Sequence, residues 1–161
     1  MSRTVAIGIQ NVEMLRANDY FYIDKTSFIK DWWEAGDQVT LIARPRRFGK
    51  TLNMDMLRTF FSTEYAGRSD LFEGLDVWKY EKYHQLQGTY PVIFLRFASV
   101  KAGTYENAYK LIYGLIEQLY MEQRHIFKDG QLSEEYIRYY ERIDCLLYTS
   151  DAADDRISVD L

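Results

Sequence analysis

The chain is expected to form an α/β domain with a parallel sheet and flanking helices. Three observations predict it. Two short, apolar, β-branched runs, QVTLIA at 38–43 and YPVIFLRF at 90–97, have the length of buried strands. Segments with helical spacing alternate with them. Between the first run and the next helical pattern sits Gly49-Lys50-Thr51.

The elements follow in order. DYFYI at 19–23 is short and aromatic, and reads as a strand or extended segment. In DKTSFIKDWWEAG, Asp24 or Thr26 can cap a helix. Phe28, Ile29, Trp32 and Trp33 recur at helical spacing, and Gly36 can end it. QVTLIA is the first buried strand. In TLNMDMLRTFFS, Leu52, Met56 and Phe60, flanked by Leu57 and Phe61, form one stripe. Residues 64–88 read as a mixed, polar connection, and YPVIFLRF as the second strand. TYENAYKLIYGLIEQLYMEQRHIF reads as a long amphipathic helix that buries Ala108, Leu111, Ile112, Leu115, Ile116 and Leu119. Ser133 can cap a last helix, EEYIRYYERI.

Composition bounds the function. The 161 residues fit one domain or part of one, and the 47% hydrophobic share supports a packed core. A net charge of −4 argues against a generally basic nucleic-acid surface, though not against a local basic patch. The single cysteine, Cys145, excludes a disulfide framework and a cysteine-rich metal site. The first ten residues have no signal-peptide character and no segment approaches a membrane span, so the expected compartment is the cytoplasm, with no membrane partner.

ARPRRFGKT at 43–51 ends like the phosphate loop G-x-x-x-x-G-K-[ST], but Arg44 stands where the first glycine belongs. Such a loop works by aiming consecutive backbone N–H groups at phosphate oxygens. Gly49 would let the backbone approach, Lys50 would add charge to the β/γ-phosphates, and the Thr51 hydroxyl would hold Mg²⁺ with the nucleotide. Residues 47–51 should then form a concave turn at a helix start. The competing reading is a solvated basic turn. Arg44, Arg46 and Arg47 could meet the γ-phosphate or DNA phosphates, or only solvent and nearby acids. Tyr20 and Tyr22 could stack on a base or pack in the core. His84 and His125 stand alone, and no nucleophile triad is present.

NDYFYIDKTSFI, VTLIARPRRFGKTLNMDMLRTFF and YPVIFLRF together resemble the N-terminal part of the AAA-ATPase-like family of prokaryotic P-loop proteins, over residues 6–143. That family's own loop is Arg-Pro-Arg-Arg-Phe-Gly-Lys-[Ser/Thr], so Arg44 fits the family version. The resemblance implies ATP with Mg²⁺ held by a variant Walker A loop of Arg46, Arg47, Phe48, Gly49, Lys50 and Thr51. Asp24-Lys25-Thr26 recurs in the family; it either borders the nucleotide or caps a helix. In relatives an apolar strand ending in an acidic pair follows, and often a nuclease-like domain, which would be the route to nucleic acid. YPVIFLRF ends in Arg96-Phe97 rather than acids, so no catalytic residue is assigned.

The last 17 residues change character after Asp144. CLLYTSDAAD, at 145–154, reads as the translation of a transposon-type sequencing adapter, and Val159-Asp160-Leu161 as its later constant bases. The expected organisation is therefore residues 1–144 as the N-terminal part of an AAA-ATPase-like domain and 145–161 as a non-native tail. The fold expectation becomes an incomplete P-loop NTPase domain, truncated before the acidic-motif strand. ATPase activity is expected of the full-length protein and not of this segment, which should not be stable alone. The alternative is a non-hydrolytic nucleotide-sensing or nucleic-acid-interaction module. A small-molecule kinase ranks below both.

Overall fold

The computed structural model describes residues 4–45, 47–123, 134, 135, 137 and 138. The chain divides into two compact units, Met1–Val92 and Ile93–Leu161. The tail at 145–161 lies outside the described residues, as do His125 and Ser133.

Four helices belong to the first unit: α1 (Val12–Ala17), α2 (Ser27–Ala35), α3 (Lys50–Phe61) and α4 (Glu81–His84). Short 3₁₀ turns at Thr63–Tyr65, Ser69–Leu71 and Asp76–Lys79 lie between α3 and α4. The helix starts have local causes. Asn11 caps α1 by accepting from the Met14 N–H at 2.6 Å. Gly36, left-handed at φ 64°, ends α2. Thr26 occupies the N-cap position of α2, one of the two expected from the sequence, but without a side-chain cap. Thr26 makes no capping bond, and Asp24 Oδ1 instead accepts from the Thr26 N–H and hydroxyl, at 2.8 and 2.6 Å.

The core of this unit is built on α3. Met56 and Phe60 are fully buried, with Phe61 beside them, against Val12, Ile29, Leu71, Phe72, Val77 and Tyr83. Phe60 meets Phe61 and Phe72 edge-on, each with ring centroids 5.0 Å apart. Trp33 stacks on Phe61 at 5.4 Å. Buried Asp55, on the same helix, accepts the Val12 N–H at 2.7 Å, which fixes the start of α1. Arg16 holds the other end by donating to the carbonyls of Leu71 and Glu73 at 2.8 and 2.7 Å. The end of α3 is tied to a later stretch by backbone bonds. Gly88 N–H donates to Phe60 O, Tyr90 N–H to Phe61 O, and Thr63 N–H to Tyr90 O, at 2.8–2.9 Å.

The expected parallel sheet is corrected. Among the described residues there is no strand, only an isolated parallel bridge between Ser62 and Tyr90. These residues therefore do not form the sheet of a P-loop NTPase domain. The run at 38–43 has no regular structure, and Val39 and Leu41 are 88% and 87% exposed. The run at 90–97 forms no strand either, and its Ile93 is 68% exposed. Residues 19–23 likewise form none, although the Phe21 N–H donates to the Thr4 carbonyl at 2.9 Å. Strand character depends on neighbours that supply ladder bonds and cover the apolar faces.

In the second unit α5 spans Tyr105–Glu122 and is capped by Thr104, whose hydroxyl accepts from the Asn107 N–H. No residue of α5 is fully buried, so the apolar side assigned to it is corrected as well. Ala108, Leu115 and Leu119 are half-buried, whereas Leu111, Ile112 and Ile116 are exposed. A cavity of about 450 Å³ in this unit is lined by residues that include Phe94, Arg96, Leu115, Leu119 and Glu122. No described helix is long and apolar enough to cross a membrane.

Asp24 links the turn before α2 to the turn at Asp76–Lys79, because its Oδ2 accepts the Asp76 N–H at 2.7 Å. Desolvation alone would raise this carboxyl. The bonds from Thr26 and Asp76, with the charge of Lys79, hold it below its ordinary 3.8 instead. A carboxyl that is lower in the folded state stabilises the fold above its unfolded value and loses that contribution as pH falls through the folded one. Stability should therefore fall below about pH 4, and Asp24→Asn should flatten this part of the acid limb. Urea unfolding across that range checks it; an unchanged acid slope in the variant contradicts it.

Candidate functional site

The basic loop runs directly into α3. Arg44 and Pro45 are exposed and without regular structure. Arg46 lies outside the described residues. Arg47 is exposed with φ +70°, a left-handed conformation that costs a non-glycine residue about 1–2 kcal/mol. Phe48 is exposed, Gly49 is left-handed at φ 74° and ψ 23°, and Lys50 opens the helix. Lys50 and Thr51 are both half-buried. Left-handed Gly49 followed by helical Lys50 is a pairing that turns successive N–H groups to one side, as in an anion-binding nest.

The start of α3 is electrically bare. Gly49 supplies no side-chain cap, and the first turn carries no acidic residue. The Gly49 carbonyl accepts from the Asn53 N–H at 2.9 Å, so the helix is properly closed from its first turn. About half a unit of positive charge is expected at such an end.

A second ammonium stands over this turn. A Cβ placed on Gly49 would lie 3.5 Å from Lys25 Nζ, with no other atom of a described residue within 4 Å beyond the glycine's own neighbours. Lys25 is held there by its neighbours in sequence. Asp24 is pinned to the Asp76 N–H, and Thr26 Oγ1 accepts the Val77 N–H at 3.1 Å. With both flanking side chains bonded to the turn at Asp76–Lys79, Lys25 is left over the loop. None of Lys25, Arg44, Arg47 and Lys50 makes an ion pair with a described residue.

The structure thus brings together Gly49, Lys50 and Lys25. Sequence reasoning left the Asp24-Lys25-Thr26 turn as either a border of the nucleotide or a helix cap made by Asp24 and Thr26. The signal for Lys25 was its setting, a lysine between two short polar residues that both bond the turn at Asp76–Lys79. The tyrosines go the other way. Tyr22 OH donates to Met56 Sδ at 3.3 Å, which makes it a core contact. Burial and the nearby Asp24 carboxylate push its phenol up to about 12. Tyr20 is half-buried. His84 stacks on Trp78 at 4.0 Å, with Nε2 2.8 Å from the Trp78 carbonyl. No group of three or more His, Cys, Asp or Glu suited to a metal occurs among the described residues. A metal at this loop would therefore depend on oxygens from a nucleotide as well as on Thr51.

Residues 6–151 match the family described as Predicted AAA-ATPase, and the chain belongs to that family. The match ends inside the segment after Asp144. An uncharacterized protein in the vnfD 5′ region of Azotobacter chroococcum mcd 1 is 43% identical over 89 residues, 52% of this chain. That alignment spans 16% of the relative's length. No solved structure matches the chain.

Proposed function

We propose that the chain binds ATP with Mg²⁺ through the loop of Arg46, Arg47, Phe48, Gly49, Lys50 and Thr51. The observation that carries this reading is the start of α3, which has no side-chain cap and where the Lys25 ammonium stands over left-handed Gly49, the residue before Lys50. Membership of a family named for ATPase activity supports a nucleotide as the ligand. The bare N–H groups would take phosphate oxygens, and Lys50 would add a charge-assisted bond. The Thr51 hydroxyl would face Mg²⁺ carried in with the triphosphate. Such a site does not need the expected sheet, because its donors belong to the turn and the helix.

For the whole protein the proposal is an ATPase module of the cytoplasm, with a nuclease-like neighbour as its route to nucleic acid. Residues 1–144 are its nucleotide-binding part, and the tail at 145–161 contributes nothing to it. The competing proposal is a module that senses nucleotide without hydrolysing it. Arg44 and Arg47, exposed and free of described ion pairs, favour contact with a polyanion in either case.

Calorimetric titration with Mg·ATP tests the binding step. Lys50→Ala should weaken ATP by roughly tenfold to a hundredfold, the loss expected for one charge-assisted hydrogen bond. Equal affinity in the variant and the parent chain overturns the role given to Lys50.

A further inference from the structure

We propose that Lys25 is a second phosphate-contacting cation of the loop, acting from outside the Gly-Lys-Thr sequence. The inference rests on the nucleotide reading above and gives a role to one residue of the Asp24-Lys25-Thr26 turn. Lys25 lies about a quarter of the unit's length away in sequence from Lys50, yet its Nζ approaches the position a Gly49 side chain would take. That is the open side of the turn, where the absence of a Cβ leaves room for a ligand oxygen.

Three observations favour a ligand role over a purely structural one. Lys25 has no ion pair with a described residue, although the unit has other lysines, such as Lys79 and Lys82, that pair with carboxylates. The structural work of the 24–26 turn is done by Asp24 and Thr26, which bond each other and the turn at Asp76–Lys79. Lys25 also brings a second positive side chain to a helix start that already lacks any compensating acid. The Lys25 ammonium meets a bare helix end at one glycine, and Lys50 follows that glycine in sequence, so positive charge gathers there until an anion arrives. A triphosphate meets that requirement better than a monophosphate, because it offers oxygens to both lysines at once.

The test compares the parent chain with Lys25→Ala, Lys25→Arg and Lys50→Ala, titrated with Mg·ATP and with AMP. Lys25→Ala should weaken ATP by about tenfold or more, as expected for a lost charge-assisted bond, while changing AMP affinity much less. Lys25→Arg should restore part of the loss. Raising the salt concentration should weaken ATP binding less steeply in Lys25→Ala than in the parent chain, because one cation fewer is screened. Thermal unfolding without nucleotide should be unchanged, which separates a lost contact from a damaged fold. Parent-level ATP affinity in Lys25→Ala overturns the proposal and leaves the loop reading standing. Absence of ATP binding to the parent chain overturns both. An equal loss for AMP and ATP, with lowered thermal stability, assigns Lys25 a structural role and overturns the proposal.

Discussion

Phe60→Ala should remove about 3–5 kcal/mol of stability from the first unit, the range for truncating a buried phenylalanine. Phe60 is fully buried and has edge-on ring contacts on two sides, to Phe61 and Phe72. Alanine loses both contacts and leaves a void between α3 and the turn at Ser69–Leu71. Whole-domain stability is only about 5–15 kcal/mol, so the variant should approach the limit of folding. Urea unfolding should show a lowered midpoint with little change in slope. A loss below about 1 kcal/mol would mean that α3 does not anchor the core.

The second large effect is expected at Gly88. Its φ is +68°, and an added Cβ would lie 2.6 Å from Ala66 Cα and 2.9 Å from Ala66 N. Backbone atoms cannot rotate away as a side-chain tip can. Gly88→Ala therefore combines left-handed strain with a displaced backbone, for about 2–4 kcal/mol. Gly36 supplies the control. It is also left-handed, at φ +64°, but an added Cβ meets nothing within 4 Å. Gly36→Ala should cost only the strain, about 1–2 kcal/mol. Thermal melts of the two variants isolate the clash as their difference. Equal losses would show that Ala66 yields without cost.

The helices of the first unit were legible where the cause was local. The stripe of Leu52, Met56 and Phe60 places α3, and Gly36 places the end of α2. The segment 64–88 was misjudged as a polar connection. It supplies Leu71, Phe72, Leu75, Val77 and Tyr83 to the core. Leu71 and Val77 lie in two separate 3₁₀ turns and Tyr83 in α4, so no single period runs through the segment. α1 was missed because it is only six residues long, and its local Asn11 cap is reinforced by a bond to Asp55, far along the chain. The runs at 38–43 and 90–97 have strand composition, but no sequence window shows whether a partner strand will pair with them. At the loop, Gly49, Lys50 and Thr51 were readable as candidates from their spacing. The approach of Lys25 was not, because it depends on how Asp24 and Thr26 anchor to a turn some fifty residues later.

The bonds that join Phe60, Phe61 and Thr63 to Gly88 and Tyr90 close the intervening chain into a ring. Closing a ring of this length costs roughly 3 kcal/mol of chain entropy plus a constant. That cost falls due before Leu71, Phe72 and Val77 can be buried inside the ring. The 3₁₀ turns therefore cannot form first and dock later, because each is too short to persist alone. Collapse onto α3 and closure of the ring are therefore expected to be coupled, so that the search of position 88 for position 60 should slow folding of the first unit.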